Sequence, residues 1–308
     1  MKPNSQKLTT ELVINWHVTE ACNYTCKYCY AHWNKPDLRR DVIRDEGKTK
    51  KMLTELNKFF HPDNTTNPLQ KKMKWSSVRL NIAGGEPLLY ADRVLSVIRI
   101  AKDLGMNVSI ITNGSRLTPH LIEQMAPNLS LFGLSLDSTN SASNHEIGRI
   151  DKKGLLLSID ETCGILDLGR QINPNMQLKI NTVVNSVNCQ ENMTSLIHRV
   201  KPDRWKIFRM LPVINSHLAI SQTDFDGFVE RHNSLGALMS AEDNVDMTES
   251  YIMIDPYGRF FQNSQTTNEY AYSPSIIESG AELAFSTINF ASDKFKARYD
   301  RIPLEMVK

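Results

Sequence analysis

The amino-acid sequence predicts an α/β protein with a mostly parallel β-sheet. Short apolar segments alternate with longer amphipathic segments over the first two thirds of the chain, an order typical of parallel strands joined by helices. The predicted strands are residues 12–18, 78–82, 107–111, 131–136, 177–183 and 204–209, and the predicted helices are residues 47–60, 91–104, 119–126, 154–168 and 191–201. Six such units make either an open sheet or an incomplete barrel, and their spacing alone does not choose between the two.

The helices are predicted from the spacing of their apolar residues. In residues 91–104, Val94, Ile98 and Ala101 fall on one helical face, whereas Arg93 and Lys102 reach water. Because the carboxyl ends of parallel strands carry the functional groups in such folds, we expect the site at that end of the sheet.

The pattern changes after residue 215. Residues 223–240 predict a helix, and residues 251–254 and 259–262 predict a strand pair turned at Asp255-Pro256-Tyr257-Gly258. Residues 263–275 are rich in Asn, Thr, Ser and Gln and predict a loop, and the tail from Ile276 is weakly helical. Since no linker interrupts the chain, we expect residues 216–308 to form an extension packed on the domain of residues 1–215, as one globular unit.

Composition and charge are those of an ordinary globular protein. Hydrophobic residues make up 41% and charged residues 23% of the 308 residues, and the formal net charge is +2. This balance gives no electrostatic reason to expect a nucleic-acid polymer or an acidic membrane as the main partner. The sequence shows neither an apolar signal-peptide core after Met1 nor a run of about 18 apolar residues, so we expect a cytoplasmic protein.

Three of the five cysteines lie within eight residues, at Cys22, Cys26 and Cys29. In a reducing compartment such a cluster favours metal binding over disulfides, and soft thiolates suit iron–sulfur clusters or zinc. A closed zinc site or an ordinary [4Fe–4S] cluster takes four protein ligands, whereas this spacing supplies three and leaves one iron open to a small molecule. The alternatives are a zinc knuckle with His32 as its fourth ligand, or three cysteines packed as small apolar residues.

The C-x3-C-x2-C run, with Tyr28 between the last two cysteines and Tyr30 after them, resembles the signature of the radical S-adenosylmethionine (SAM) superfamily. The resemblance implies a full or partial barrel, which we expect here as a partial (β/α)6 barrel whose mouth the C-terminal extension covers. It also implies a [4Fe–4S] cluster whose open iron is chelated by the methionine part of SAM. One electron from the cluster then cleaves SAM and releases a 5′-deoxyadenosyl radical.

Residues that follow the next strands agree with this resemblance. Gly84-Gly85-Glu86-Pro87 matches the superfamily's GGEP motif, in which glycines let the backbone approach a ligand and Glu86 accepts from the methionine ammonium. Alone, this tetrapeptide is more typical of a plain turn, and a polar residue at a strand end is often a helix cap. The resemblance implies that SAM is bound by Tyr28, Tyr30, Gly84, Gly85, Glu86, Asn113, Ser135 and Arg149.

A closer resemblance, to the viperin family of nucleotide dehydratases, rests on segments that include Lys179-Ile180-Asn181 and Arg204-Trp205-Lys206. Lys179, Arg204 and Lys206 stand at consecutive predicted strand ends, and the resemblance adds Arg79. Removing water from several cations at one barrel mouth is unfavourable unless an anion binds to them. A triphosphate is an anion that suits this arrangement. The alternative is that they are solvated strand ends or members of surface ion pairs.

The resemblance implies a reaction in which the 5′-deoxyadenosyl radical abstracts the 4′-hydrogen of a ribonucleoside triphosphate. The 3′-hydroxyl leaves as water, and one electron and one proton give the 3′-deoxy-3′,4′-didehydro nucleotide, a chain terminator in antiviral defence. Tyr251 matches the family tyrosine that supplies this hydrogen, although a strand tyrosine is usually half-buried packing. The substrate-binding residues so implied are Asn15, His17, Arg79, Asn81, Lys179, Asn181, Arg204 and Lys206.

Two departures from the family leave part of the site open. Ala83 stands where the vertebrate members carry a serine, and residues 263–275 lack the basic residues of the corresponding vertebrate segment. The base remains open among cytosine, uracil and guanine. The alternatives are a radical SAM enzyme acting on another small molecule or a peptide, and, from another class, a non-catalytic iron–sulfur sensor. We expect a monomer that receives electrons from a flavodoxin- or ferredoxin-type donor.

Overall fold

Ten strands and eleven α-helices make up the regular structure of the part of the chain that the computed structural model describes, residues 11–31, 38–213, 216–263 and 270–300. The strands are β1 (Glu11–His17), β2 (Ser77–Ala83), β3 (Asn107–Thr112), β4 (Leu131–Ser135), β5 (Gln177–Val184), β6 (Arg204–Arg209), β7 (Met239–Glu242), β8 (Ile252–Ile254), β9 (Arg259–Asn263) and β10 (Tyr270–Ser275). The helices are α1 (Glu46–Phe60), α2 (Ala91–Asp103), α3 (Pro119–Met125), α4 (Ser141–Ile147), α5 (Ile159–Ile172), α6 (Thr194–Val200), α7 (Gln222–Arg231), α8 (Asn244–Met247), α9 (Ile276–Ser279), α10 (Ala281–Ser286) and α11 (Ser292–Asp300). In this part of the chain, no helix is both long enough and apolar enough to cross a membrane.

The strands form one sheet in the order β10-β9-β8-β1-β2-β3-β4-β5-β6-β7. Every neighbouring pair from β8 to β7 is parallel, whereas β9 and β10 continue the β8 edge as antiparallel strands. All six predicted strands are present, with bounds that differ by no more than one residue from those predicted. The alternating apolar residues therefore located the strands well.

The sheet curls until its far edges come into contact. Strand β6 lies near one end of the parallel series and β8 at the other, yet Lys206 Nζ donates to Tyr251 Oη, just before β8, at 2.7 Å. Tyr251 also donates to Glu242 at the end of β7. No ladder of hydrogen bonds joins β7 to β8 within the described ranges, so the barrel remains incomplete. The prediction of a partial barrel is confirmed. Strand β7 was not predicted, whereas β8 and β9 are the strand pair predicted at residues 251–254 and 259–262, with β8 also joining the parallel series.

The C-terminal region joins the sheet, and one predicted helix there is wrong at its end. The helix predicted for residues 223–240 stops at Arg231, and Met239 and Ser240 begin β7. Between them Gly236 takes φ 51° and ψ −127°, a conformation that a helix does not tolerate. The extension thus supplies strands to both sides of the barrel, while the division at residue 215 stays a prediction.

The loop predicted for residues 263–275 is wrong where the structure describes it. Tyr270–Ser275 forms β10 and pairs with β9, and the rings of Tyr270 and Tyr272 pack against Phe261. The polar composition of the segment concealed these alternating aromatic side chains. Residues 264–269 lie outside the described residues.

Among the helices of the first two thirds of the chain, the least accurate prediction concerns α5. It was expected to start at residue 154 but starts at Ile159, where the side chain of Ser158 accepts from Glu161 N and caps the first turn. Helix α4 was not predicted, since its sequence is short and polar. It begins after Asn140, whose side chain accepts from Ala142 N, and ends at a left-handed glycine.

The two faces of the parallel strands differ in chemistry. Ile14, Leu80 and Ile180 are fully buried in the main hydrophobic core, outside the barrel. The alternate positions, such as Asn81 and Asn181, line a cavity inside it. The interior of a closed eight-stranded barrel is normally filled by branched apolar side chains. The polar interior here therefore marks a binding cavity.

The cysteine loop, residues 22–29, is held on both sides by backbone contacts. Gly85 N donates to Thr19 O at 2.7 Å, just before the loop, and Thr25 N, within the loop, donates to Gly148 O at 3.2 Å. Gly148 ends α4 with φ +87°, and a Cβ there would lie 2.3 Å from Thr25 O. Such an approach is open only to glycine. The loop is thus positioned by the ends of β2 and α4.

Gly148→Ala is expected to destabilise the protein more than Gly154→Ala does. Both glycines have positive φ, so both substitutions cost about 1–2 kcal/mol of backbone strain. Only Gly148 adds a collision with the cysteine loop, worth a further 1–3 kcal/mol or so, because Gly154 has no atom within 4 Å of its Cβ position. Urea unfolding of the two variants would measure the difference. Equal losses would show that the loop does not depend on this close approach.

Candidate active site

One cavity inside the partial barrel gathers most of the side chains that the sequence singled out. It is lined by Asn15, His17, Cys22, Cys26, Tyr28, Cys29, Tyr30, Asn81, Gly84, Gly85, Asn113, Ser135, Arg149, Lys179, Asn181, Lys206 and Tyr251. Three other predicted site residues, Arg79, Glu86 and Arg204, do not line it. The individual roles of all these residues stay predictions, but most of them face one space.

The three thiols of the cysteine loop suit an iron–sulfur cluster better than a single zinc ion. Cys22, Cys26 and Cys29 line the same cavity, yet no three His, Cys, Asp or Glu side chains of the described ranges are arranged to hold one metal ion. The irons of a [4Fe–4S] cube are spread out, so its thiolate ligands need not converge on one point. The zinc alternative named His32, which lies outside the described residues.

The surroundings of the partly buried thiols favour their protonated form. Burial raises the pKa of Cys29 to about 12, and it raises the pKa of Cys22 and of Cys26 as well. Thiolates rather than thiols bind metal, so the iron would supply the charge that stabilises them. Cys22 Sγ accepts from Tyr24 N at 3.3 Å, and Arg149 Nη1 lies 3.9 Å from Cys26 Sγ. Such donors tune the potential of an iron–sulfur cluster.

Gly84 and Gly85 line the cavity, but the space where their Cβ atoms would lie is filled by the chain itself. A Cβ on Gly84 would lie 2.7 Å from Thr19 O, and one on Gly85 would lie 2.3 Å from Ala21 O. The sequence predicted that these glycines let the backbone approach a ligand. In the structure they let it approach the segment that leads into Cys22. The double glycine couples β2 to the cysteine loop.

Glu86 lies behind the cavity. Its carboxylate accepts from Thr112 Oγ1 at 2.6 Å, from Asn113 N at 2.7 Å and from Leu88 N at 3.0 Å. The side chain is fully buried, and burial raises its pKa. In this arrangement Glu86 ties the end of β2 to the end of β3, and its contact with the methionine ammonium stays a prediction.

Arg149 is held beside the thiols by an aspartate that no sequence motif indicated. Its Nε lies 3.4 Å from Asp137 Oδ2, its Nη2 donates to Ser135 O, and Tyr28 Oη donates to the same carboxylate oxygen. Burial alone would lower the pKa of Arg149, but Tyr28 and Asp137 raise it well above its usual value. Asp137 therefore positions two of the predicted SAM-binding side chains.

The predicted phosphate-binding cations were expected at the carboxyl ends of their strands, and this expectation is wrong. Lys179 is the third of eight residues in β5, and Arg79 and Arg204 likewise lie in the amino-terminal parts of β2 and β6. The open interior lets a long side chain reach the cavity from this side. Gly133 is the register partner of Lys179, and a Cβ on it would lie 3.5 Å from Lys179 Cε.

Lys179 is the cation whose charge the protein leaves unmatched. Arg79 lies 3.0 Å from Glu11, and Lys206 lies 2.7 Å from Glu242, whereas Lys179 has no ion pair or hydrogen bond with any described residue. Burial, together with the nearby Lys206 and Arg79, lowers the pKa of Lys179 well below its usual value. The alternative of a surface ion pair suits Arg79 but not Lys179. An anionic ligand would offset the cost of burying this ammonium group.

Neutral polar groups line other walls of the cavity. Asn81 Nδ2 donates to Asn15 Oδ1 at 2.9 Å, and Ser109 Oγ donates to Asn81 Oδ1 at 2.7 Å, so a hydrogen-bonded row crosses β1, β2 and β3. On β5, the buried Asn181 Oδ1 has no hydrogen-bond partner within the described structure. Burial lowers the pKa of His17 to about 3, so its imidazole is neutral near pH 7.

Tyr251 stands among charged side chains at the Lys179 side of the cavity. It accepts from Lys206 Nζ at 2.7 Å and donates to Glu242, and the Arg298 guanidinium lies 3.5 Å from the centre of its ring. Simple half-buried packing would not require these polar contacts. Its role as hydrogen donor stays a prediction.

Three residues of the site region were missed by sequence reasoning, each for a different reason. Asp137 lies two residues past the end of β4, so its position after a strand was a usable signal. Glu242 was hidden because the segment just before it was read as helix. Arg298 lies in the weakly helical tail, where no motif points to it.

The fold matches those of solved radical SAM enzymes at low sequence identity. The structure of anSMEcpe with bound AdoMet superposes with a TM-score of 0.63 at 15% identity, over 92% of this chain and 84% of that chain. Streptococcus suis SuiB bound to S-adenosylmethionine superposes with a TM-score of 0.59 at 14% identity, over 94% of this chain and 67% of that chain. At such identities the likeness concerns the fold alone.

Sequence comparison supports a narrower assignment. The family model of the radical SAM superfamily matches residues 16–156. Proteins called S-adenosylmethionine-dependent nucleotide dehydratase, from Psychrobacter lutiphocae and Pseudoalteromonas ulvae, are 40% and 39% identical over 96% of this chain and 96% and 95% of theirs. A dehydratase from Oncorhynchus mykiss is 27% identical over 96% of this chain and 81% of its own. The chain therefore belongs to the radical SAM superfamily and, within it, to the family of S-adenosylmethionine-dependent nucleotide dehydratases, as its resemblance to the viperin family predicted.

Proposed function

We propose that this chain converts a ribonucleoside triphosphate, CTP, UTP or GTP, to its 3′-deoxy-3′,4′-didehydro analogue. Family membership supports the reaction type, a SAM-dependent nucleotide dehydration. The observation that carries the choice of a triphosphate is the half-buried Lys179, which lines the cavity and forms no ion pair or hydrogen bond with a described residue. A non-catalytic sensor would have no use for this charge. We further propose a cytoplasmic, antiviral role and a flavodoxin- or ferredoxin-type electron donor.

The residues present divide the cavity between the two ligands. Cys22, Cys26 and Cys29 would hold the [4Fe–4S] cluster, which, with SAM bound, supplies the 5′-deoxyadenosyl radical. Arg149, fixed by Asp137, is available to the SAM carboxylate beside the thiols. Other predicted SAM contacts at this end of the cavity are Tyr28, Tyr30, Gly84, Gly85, Asn113 and Ser135.

The nucleotide would lie with its phosphates at the other end. Lys179 contacts the triphosphate directly, and Arg79 and Arg204, behind the lining, add to the positive potential there. Asn181, whose Oδ1 lacks a partner in the described structure, is free to accept from a sugar hydroxyl or the base. This orientation directs the ribose toward the thiol end, and Tyr251 stands near the phosphates and the sugar.

The proposal is tested by product analysis under anaerobic conditions. Reconstituted, dithionite-reduced protein is incubated with SAM and each of CTP, UTP and GTP, and the products are separated by mass spectrometry. A nucleotide lighter by one water, formed together with 5′-deoxyadenosine, is expected from one triphosphate in preference to the others. Cleavage of SAM that no triphosphate stimulates or converts would refute a nucleoside triphosphate as substrate.

Lys179→Met is expected to weaken triphosphate binding and to stabilise the free protein. Loss of a charge-assisted contact of about 1.5–3 kcal/mol lowers affinity roughly 10- to 100-fold. Removing this half-buried amino group raises the melting temperature without ligand, because its surroundings disfavour the charged form of Lys179 and offer it no hydrogen bond from a described residue. Calorimetric titration and thermal melts measure the two effects. Lys102→Met, on the exposed surface of α2, is the control, and equal affinities of the two variants would remove Lys179 from the phosphate site.

Tyr251→Phe is expected to uncouple SAM cleavage from dehydration. The phenylalanine ring fills the same space but has no O–H to give, so the nucleotide radical is not quenched to product. The yield of dehydrated nucleotide per 5′-deoxyadenosine, called the coupling ratio below, should fall at least about tenfold, a lower bound on the usual contribution of a positioned proton-transfer group. An unchanged coupling ratio would exclude Tyr251 from the reaction.

A further inference from the structure

Tyr251 is the centre of a cluster of charged side chains, most of which lies outside the cavity. Its phenol donates to Glu242 Oε2, and Lys206 Nζ lies 2.7 Å both from the phenol oxygen and from Glu242 Oε1. Glu242 is only 1% exposed and does not line the cavity, so it reaches a ligand only through Tyr251 and Lys206. The phenol hydrogen therefore points to a carboxylate rather than into the cavity.

From this geometry we propose that Glu242 orients Tyr251 and accepts its phenolic proton when the phenol gives an electron to the nucleotide radical. The inference rests on the proposed function, in which Tyr251 supplies a hydrogen, and changes the recipient of the phenolic proton from the nucleotide to Glu242. Glu242 is a positioning residue for Tyr251, since it touches neither SAM nor the nucleotide. The electron and the proton of the tyrosine thus leave by different routes.

The surroundings of Glu242 keep it ready to accept a proton. Burial alone would raise its pKa, but Lys206 and Arg298 lower it below the usual value, so it is a carboxylate near pH 7. Burial of the phenol raises the pKa of Tyr251 well above its usual range, so the tyrosine is protonated. A neutral phenol hydrogen-bonded to a carboxylate can lose its electron without becoming a cation, because the proton moves to the acceptor at the same time.

The chain holds Tyr251 in this place at some conformational cost. Glu249, two residues before it, has φ 56°, a left-handed conformation that is strained for a residue with a side chain. On α11, the Arg298 guanidinium stacks 3.5 Å from the ring centre and donates to Ser250 O. Backbone and ring are therefore both fixed, which is expected where a phenol must keep one orientation.

The electrons and protons of the step balance. The nucleotide radical loses its 3′-hydroxyl as water, which takes one proton from solvent, and accepts one electron from the Tyr251 phenol. The phenol O–H bond breaks, the Glu242 carboxylate gains an O–H bond, and a neutral phenoxyl radical remains. The one-electron reductant that the enzyme already uses supplies a second electron, and Glu242 returns its proton to the phenoxyl oxygen. Over the whole reaction the nucleotide loses the elements of one water, its 4′-hydrogen remains on 5′-deoxyadenosine, and two electrons and one proton are consumed for each SAM cleaved.

The two lysines that line the cavity differ in their ion-pair partners. Lys206 forms an ion pair with Glu242, whereas Lys179 forms no ion pair with a described residue. Removal of the Glu242 charge would leave Lys206 more attractive to a phosphate. If Glu242 acts in the radical step, its replacement should lower the coupling ratio without weakening nucleotide binding. A general loss of structure would weaken nucleotide binding as well.

Glu242→Gln tests the proposal, because the amide has nearly the same size but is a poor proton acceptor. In reduced holoenzyme with SAM and the preferred triphosphate, the coupling ratio should fall at least about tenfold while 5′-deoxyadenosine is still formed. The ratio is insensitive to the fraction of folded protein, since both quantities come from the same active molecules. Glu242→Asp, which retains the carboxylate, should recover part of the coupling and serves as the second variant if the amide does not fold.

Glu191→Gln is the matched control. Glu191 accepts a hydrogen bond from Ser138 and does not line the cavity, so its amide variant should keep the wild-type coupling ratio. In unreduced holoenzyme, where no turnover occurs, calorimetry should give Glu242→Gln a triphosphate affinity equal to or tighter than wild type. A several-fold weaker affinity would indicate a structural role and would overturn the proposal.

The outcomes separate this inference from the function on which it rests. If Tyr251→Phe lowers the coupling ratio and Glu242→Gln does not, Glu242 is not the proton acceptor, although the proposed function stands. If the wild-type enzyme dehydrates no triphosphate, the proposed function fails first. Equal coupling losses in Glu242→Gln and Glu191→Gln would also contradict the inference, because the effect would not be specific to the Tyr251 cluster.

Discussion

The close packing of the cysteine loop between two glycine-bearing segments is the constraint on which the rest of the site depends. Gly85 lets the end of β2 approach the segment before Cys22, and Gly148 lets the end of α4 approach Thr25. Neither approach leaves space for a Cβ. With the loop held by hydrogen bonds to both segments, its three thiols face the cavity.

The cavity that follows from this arrangement has two ends of different chemistry. Thiols and Arg149 lie at the carboxyl ends of the strands, and cations that reach in from the amino-terminal halves lie at the other end. The balance of charge is uneven: Asp137 faces Arg149 and Glu242 faces Lys206, but nothing in the described structure matches Lys179. A ligand with several negative charges at one end is therefore oriented before any reaction, which leaves its uncharged part for the thiol end.

The C-terminal region completes this cavity in addition to covering it. Glu242 comes from β7 at one edge of the parallel series, Tyr251 leads into β8 at the opposite edge, and Arg298 comes from α11. The three side chains meet only because the sheet curls into a partial barrel. Tyr251 is thus held by segments remote from one another in the sheet, and a shift of either edge would alter its hydrogen bond.

The sequence by itself determined the parallel α/β class, the six strands that carry the site and the cluster of three cysteines. These features are local: alternation of apolar residues every second position marks a strand, and a short spacing such as C-x3-C-x2-C is preserved whatever the fold around it. The family followed from such short segments as well, and comparison with known relatives confirmed it. Most of the predicted site residues consequently lie around one cavity.

Only the tertiary structure decided how those residues are paired and at which end of the barrel they act. The contacts of Asp137 with Arg149, of Glu242 with Tyr251 and of Arg298 with the Tyr251 ring join segments whose nearness depends on the curvature of the sheet. The same curvature turns side chains from the amino-terminal halves of β5 and β6 toward the cavity. Sequence reasoning identified Lys179 as a site residue but placed it at the wrong end of its strand, because it could not show this curvature. A periodic pattern shows which face of a strand is buried, but burial and unmatched charge arise only when distant strands close around the same space.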